Sequence, residues 1–105
     1  MRIRLFDGSI KTSEAQYNYI MSKVGAAASR LKGASCAVDV RLTDVNGSKG
    51  GIDKQCSIVV TPPGLATLRV EERAADYYAA IDAAAATLKK SIARLLERTK
   101  ANGPR

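Results

Sequence analysis

The 105-residue sequence contains no histidine and no tryptophan, and it has one phenylalanine and two cysteines. A chain without histidine lacks the commonest general base, the usual zinc ligand and the base of every Ser-His or Cys-His nucleophile pair. The glycine-rich segment NGSKGG, residues 46–51, lacks the Gly-x-x-x-x-Gly-Lys-Ser/Thr spacing of a phosphate-binding loop. We therefore expect a binding protein and not an enzyme, with no cofactor, no metal and no small-molecule substrate.

A calcium site is also disfavoured, although one segment begins like a calcium loop. Asp44, Asn46 and Ser48 occupy alternate positions, as the first ligands of such a loop do. The loop then requires a glycine at its sixth position and a bidentate glutamate at its twelfth. This chain has Lys49 and Gln55 at those two positions, so we expect no calcium binding.

Long apolar runs are absent as well. No stretch approaches the roughly 20 apolar residues needed to cross a bilayer, and the N-terminal MRIRLFDGSIKT lacks the apolar core of a signal peptide. We expect a cytoplasmic protein with reduced thiols. A hairpin around residues 46–52 would place Cys36 and Cys56 on the order of 20 Å apart along the strands, which is too far for a disulfide.

Alternation of apolar and polar residues predicts four β-strands, over residues 2–6, 35–45, 54–61 and 66–71. The break Pro-Pro-Gly at 62–64 separates the last two. Each strand is apolar on one face only, which is the pattern of an antiparallel or mixed sheet with one buried face.

Helical spacing of apolar residues predicts two helices. The first begins at Thr12 or Ser13, reaches about Leu31 and is ended by Gly33. The second runs from about residue 75 to residue 99. Its first turn carries Asp76, whose carboxylate can cap free amide groups.

The apolar face of the second helix is the longest in the sequence, and we place Tyr78 in the core and expect Tyr77 to be exposed. The members of this face are Tyr78, Ile81, Ala85, Leu88, Ile92, Leu95 and Thr99. The element order β-α-β-β-β-α predicts an α+β fold in which two helices cover one face of a four-stranded sheet. We expect a single domain over residues 1–100 and a disordered tail over 101–105.

Charge is the feature most informative about function. The net charge is +7, and residues 89–105 alone carry six basic residues against one acidic residue. Lys90, Arg94 and Arg98 recur every four residues, so they form a row about 6 Å apart along a helix. Such a row can follow a nucleic-acid backbone through phosphate contacts. Cations that merely complement a helix dipole would number one or two.

Further basic residues extend this candidate surface. Lys89 and Lys100 flank the row, and Lys23, Arg30 and Lys32 lie at or beyond the end of the first helix. No aromatic platform accompanies the charge, which disfavours base stacking of the RNA-recognition-motif kind. Recognition of RNA by shape and phosphate geometry fits better.

A family resemblance is carried by the run Asp76-Tyr77-Tyr78-Ala79-Ala80-Ile81-Asp82, followed by Leu88, Lys90, Ile92, Arg94 and Arg98. This pattern resembles the ribosome hibernation-promoting factor and ribosome-associated inhibitor A family. The resemblance implies binding to 16S ribosomal RNA in the decoding channel of the small ribosomal subunit. Translation would be blocked by occupancy of that channel, and idle ribosomes would be protected.

The resemblance also maps residues. Lys90, Arg94 and Arg98 fall where the family has cations on its second helix, and Lys23 matches a lysine of its first helix. Ala26 and Thr87 stand where members often have lysines. By the same resemblance we expect a short form, which lacks the extra C-terminal domain of the long family forms.

Two other hypotheses about function remain at this point. A diverged relative could keep the fold and serve as a protein-interaction or stress-related module. A double-stranded RNA binder has a similar topology, but it usually carries its lysines early in the last helix, where this chain has Asp76 and Asp82.

Overall fold

The structure, a computed structural model, describes residues 2–7, 12–31, 36–45 and 52–102. It contains six elements: β1 (Arg2–Asp7), α1 (Glu14–Ala27), β2 (Ala37–Asp44), β3 (Lys54–Thr61), β4 (Leu68–Ala74) and α2 (Tyr77–Asn102). The predicted order β-α-β-β-β-α and the α+β class are confirmed. Neither described helix combines the length and apolar character of a membrane span.

The four strands form one sheet in the order β1-β2-β3-β4. β1 is parallel to β2, and the other two neighbouring pairs are antiparallel. Leu42 lies opposite Cys56, and the Val45 amide donates to the Asp53 carbonyl at 2.9 Å. This is the register that the sequence predicted for these two strands, and the predicted turn itself falls mostly outside the described residues.

Both cysteines are free and buried, as expected. Burial raises the pKa of the Cys56 thiol to about 12. The reactive thiolate is therefore scarce at neutral pH, and Cys56 serves as a small apolar core residue.

The core lies between one sheet face and the two helices. Side chains at alternate positions of β2 and β3 are fully buried: Val38, Val40, Leu42, Cys56, Ile58 and Val60. α2 packs across β3 and β4, and α1 packs beside α2 and against β1. This arrangement leaves the opposite face of the sheet without a covering element among the described residues.

The N-termini of both helices are capped by side chains. The Ser13 hydroxyl accepts from the Gln16 amide at 3.1 Å, and the Gln16 side chain accepts from the Ser13 amide at 3.0 Å. This reciprocal pair is a capping box. At α2, Asp76 accepts from the Ala79 amide at 2.9 Å, which confirms the predicted cap.

Three predicted boundaries need correction. α1 ends at Ala27 and not near Leu31, because residues 28–31 form tight turns, with the Leu31 amide donating to the Ala28 carbonyl at 2.9 Å. β4 begins at Leu68, after a turn in which the Leu65 amide donates to the Pro62 carbonyl at 3.3 Å. α2 continues to Asn102, past the expected end at residue 99 and into the stretch expected to be a tail. Gly33 lies outside the described residues.

The placement of the two tyrosines at the start of α2 was also wrong. Tyr78 is 40% exposed, whereas Tyr77 is half-buried and packs against the core. The reason is the position of the buried stripe, which is centred on Ile81 and Leu88. Tyr77 lies four residues before Ile81, so it falls on that stripe. Tyr78 is turned toward α1 and makes an edge-to-face contact with Tyr19, with ring centroids 5.0 Å apart.

Candidate nucleic-acid interface

The buried stripe of α2 packs against the sheet, and the basic side chains of α2 are exposed to solvent. Leu88, Ile92 and Leu95 are buried, and the stretch that contains them also carries the exposed Lys89, Lys90, Arg94 and Arg98. Each step from Lys90 to Arg94 to Arg98 is one helical turn, which is a rise of about 6 Å. No ion pair among the described residues involves these three side chains. The row is therefore open to an anionic partner.

The two helices meet along a groove of about 270 Å³. Alanines form most of its lining, and Lys23 from α1 and Lys89 from α2 lie at its sides. Lys89 therefore faces α1, while Lys90 is about 100° further round the helix. Lys23 and Lys89, one from each helix, thus line the same groove.

The remaining sequence-predicted site residues are less closely gathered. Arg30 is exposed in the turn that follows α1. Lys100 belongs to α2, but the structure does not describe its side chain. Lys32 is not among the described residues. Their part in the surface stays a prediction.

Asp82 supplies an acidic contact inside this basic surface. Its Oδ1 accepts from the Tyr19 hydroxyl at 2.6 Å and lies 3.7 Å from Lys23 Nζ. The hydrogen bond to Asp82 raises the pKa of the Tyr19 hydroxyl. Lys23 also lies over the Tyr19 ring, 5.6 Å from its centroid. Asp82 therefore holds α2 against α1 and orients Lys23. The bond from Tyr19 to Asp82 joins residues 63 positions apart, so no local sequence pattern predicts it.

Ala26 and Thr87, the two positions where the family resemblance led us to look for lysines, differ in their surroundings. The Thr87 hydroxyl donates to Glu72 Oε2 at 2.8 Å and so ties α2 to β4. Ala26 is exposed and lines the groove between the helices. A lysine at 87 would lose a tertiary hydrogen bond, whereas a lysine at 26 would add charge to an open position.

The one buried charged residue in the described part of the chain is Asp53. Lys54 Nζ lies 3.0 Å from Asp53 Oδ1 and 3.1 Å from Asp44 Oδ2. These two carboxylates raise the pKa of the Lys54 ammonium. A lysine thus lies between Asp53 and Asp44, the first residue of the calcium-like pattern. Across the described ranges no three Cys, Asp or Glu side chains are grouped as metal ligands.

The comparisons with known proteins agree with this fold. The family model described as "Sigma 54 modulation protein / S30EA ribosomal protein" matches residues 6–100. The chain belongs to this family. No curated protein sequence matches the chain significantly.

Two solved structures show how far the likeness of this S30EA-family chain extends. The N-terminal domain of Protein Y from Thermus thermophilus has a TM-score of 0.72 and 30% sequence identity, covering 90% of this chain and 98% of that one. A ribosomal subunit interface protein from Coxiella burnetii has a TM-score of 0.63 and 15% identity, covering 90% and 96%. The second match supports the fold alone.

In this S30EA-family chain, the motif over residues 76–82 builds the scaffold and not the charged surface. Asp76 caps α2, Ile81 is fully buried and Asp82 joins the two helices. The motif therefore identifies the fold, and the exposed cations of α2 follow it in the sequence.

Proposed function

We propose that this chain binds 16S ribosomal RNA in the decoding channel of the small ribosomal subunit. The contact is made by the basic helix surface, which consists of Lys23, Arg30, Lys89, Lys90, Arg94 and Arg98. The bound protein occupies the path of mRNA and tRNA, so it inhibits translation on idle cytoplasmic ribosomes without catalysing a reaction.

The observation that carries this proposal is the exposed row Lys90, Arg94 and Arg98 on a helix anchored by its opposite face. Within the described structure no carboxylate neutralises the row. Because the helix that carries them is already ordered, its backbone loses no further conformational freedom on binding. Family membership and the likeness to a Protein Y domain supply the ribosomal setting.

A second candidate function is a protein-interaction module that keeps the fold. It is favoured by the alanine-lined groove between the helices, where only Lys23 and Lys89 carry positive charge. The two functions differ in the number of phosphate contacts and therefore in their dependence on salt.

Salt dependence tests the proposed function. The six cations of the basic helix surface would release about 0.7–0.9 counterions each on binding RNA. We expect the logarithm of the affinity for small subunits to fall with the logarithm of salt concentration at a slope of about −4 to −5. Pelleting of small subunits with the protein across a salt series measures this slope. A flat response would favour the protein-interaction module.

A gain of binding is expected from Ala26→Lys. The added ammonium would stand in the groove beside Lys23 and Lys89, and one more phosphate contact should steepen the salt slope by about one. Ala79→Lys is the matched control, because Ala79 is exposed in the first turn of α2, at the helix end away from the row. An equal gain from both variants would show that net charge alone matters and that the groove is not in contact with RNA.

A further inference from the structure

The sheet face turned away from the helices has its own concentration of charge. Five exposed arginines lie on it: Arg2, Arg4, Arg41, Arg69 and Arg73. Only Asp39 and Glu71 oppose them there, and no lysine with a described side chain belongs to this face. We call this surface the open sheet face. It is separated from the basic helix surface by the full thickness of the sheet and the helix layer.

The register places the open sheet face in ordered rows. Arg4, Asp39, Val59 and Arg69 lie side by side across the four strands, and Phe6, Arg41, Ser57 and Glu71 form the next row. Neighbouring strands are about 4.8 Å apart, so each row spans on the order of 14 Å. Arginines thus lie at both ends of the first row, with Asp39 and Val59 between them.

Several of these arginines are held in place by neighbouring side chains. Arg4 makes two hydrogen bonds to the Asp39 carboxylate, at 2.8 and 3.1 Å. The Arg4 and Arg41 guanidinium carbons lie 5.4 and 5.7 Å from the centroid of the exposed Phe6 ring. Arg73 Nε donates to the Gln55 side chain at 2.9 Å. The guanidinium planes are therefore partly ordered before any ligand arrives.

A shallow concavity of about 420 Å³ lies at the centre of the open sheet face. Phe6 and Val59 give it apolar lining, and Arg41 and Arg69 give it positive charge. Two carboxylates also line it: Asp39, which is bonded to Arg4, and Glu71, which offers a hydrogen-bond acceptor. In the described structure no carboxylate forms an ion pair with Arg41, Arg69 or Arg73. A nucleotide, in which a flat base is joined to a negatively charged phosphate, matches this combination of groups.

We propose that the open sheet face binds single-stranded RNA, with phosphates on Arg41, Arg69 and Arg73 and a base in the concavity beside Phe6. Guanidinium planes and aromatic rings are the surfaces on which unpaired bases stack. Glu71 can accept a hydrogen bond from the exocyclic amino group of a base. Lysine side chains would serve an acidic protein partner equally well, so the exclusive use of arginine favours RNA.

This proposal rests on the proposed function for its ribosomal setting, and it adds a second RNA contact on the opposite side of the molecule. The face lacks the paired aromatics of RNA-recognition motifs, so arginine contacts and not base stacking carry most of the affinity. A protein with RNA-binding groups on both sides suits a channel whose walls are RNA.

The test compares two variants that each remove three positive charges. R41Q/R69Q/R73Q alters the open sheet face, and K90Q/R94Q/R98Q alters the basic helix surface. The probe is a fluorescein-labelled 12-nucleotide oligocytidylate, followed by anisotropy at low salt. We expect the open-face variant to lose at least about tenfold in affinity for the oligonucleotide. The helix variant should lose less than about threefold.

Three results would overturn the proposal: no loss in the open-face variant, an equal loss in both variants, or displacement of the oligonucleotide by polyglutamate as effectively as by unlabelled RNA. Pelleting with small subunits distinguishes a failure of this proposal from a failure of the proposed function. If the helix variant pellets as well as the unaltered protein, the proposed function fails, while the open sheet face is still judged by the oligonucleotide. Circular dichroism checks that both variants are folded.

Discussion

Changing Lys90, Arg94 and Arg98 together to glutamate is expected to abolish co-sedimentation with small ribosomal subunits. Each cation that meets a phosphate contributes roughly 1.5 kcal/mol as a charged hydrogen bond. Since 1.4 kcal/mol corresponds to a factor of ten in affinity, three lost contacts weaken binding by about a thousandfold. The added carboxylates would repel the phosphates further.

The matched control keeps every charge at the same three positions. Lys90→Arg, Arg94→Lys and Arg98→Lys combined should leave pelleting nearly unchanged, because phosphate contacts of this kind depend on a positive charge more than on its shape. All three side chains are exposed, so neither variant should unfold the protein. Undiminished pelleting of the glutamate variant would reject the basic helix surface as the ribosome contact.

The largest expected effect on stability comes from Leu88→Ala. Leu88 is fully buried between α2 and the sheet. Removing such a side chain costs about 2–5 kcal/mol, because transfer energy is lost and a cavity remains. In a domain of this size the midpoint of thermal unfolding should fall by roughly 10–20 °C. Thermal unfolding followed by circular dichroism measures the shift.

Leu96→Ala provides the comparison for this variant. Leu96 belongs to the same helix but is only partly buried against the core, so its loss should shift the midpoint much less. Leu88→Ala should also bind small subunits normally at temperatures where it remains folded, because Leu88 has no exposed surface for contact. Equal shifts for the two variants would contradict the packing described for α2.

Most of the fold was predictable because apolar residues recur regularly in this sequence, at alternate positions in the strands and at helical spacing in the helices. Val38, Val40 and Leu42 alternate with polar residues, and the register of β2 with β3 followed from placing residue 45 near residue 53. The errors fell where local pattern gives little information. α1 stops at Ala27 in a run of alanines and a serine, where side chains give no sign of the change from helix to turn.

The site was predictable only in part, because its long-range contacts have no sequence signal. The row on α2 follows from spacing within one helix, and the structure confirms that these residues are exposed there. The bond between Tyr19 and Asp82, which orients Lys23, depends on how two distant helices pack. The same holds for the open sheet face, where arginines from all four strands meet only after the sheet has formed.

The central claim is that the cationic row on α2 faces 16S ribosomal RNA in the decoding channel. Directed hydroxyl-radical probing from Glu97→Cys tests it, since Glu97 is exposed between Arg94 and Arg98. The natural Cys36 and Cys56 are fully buried, so the introduced thiol alone should accept an iron chelate. Chelate-free protein bound to the same subunits serves as the background.

With the chelate at position 97, strand cleavage is expected in 16S RNA segments that line the decoding channel, and it should vanish in the triple glutamate variant. Cleavage only at distant RNA segments, or none above background from a protein that still pellets with the subunits, would contradict the account.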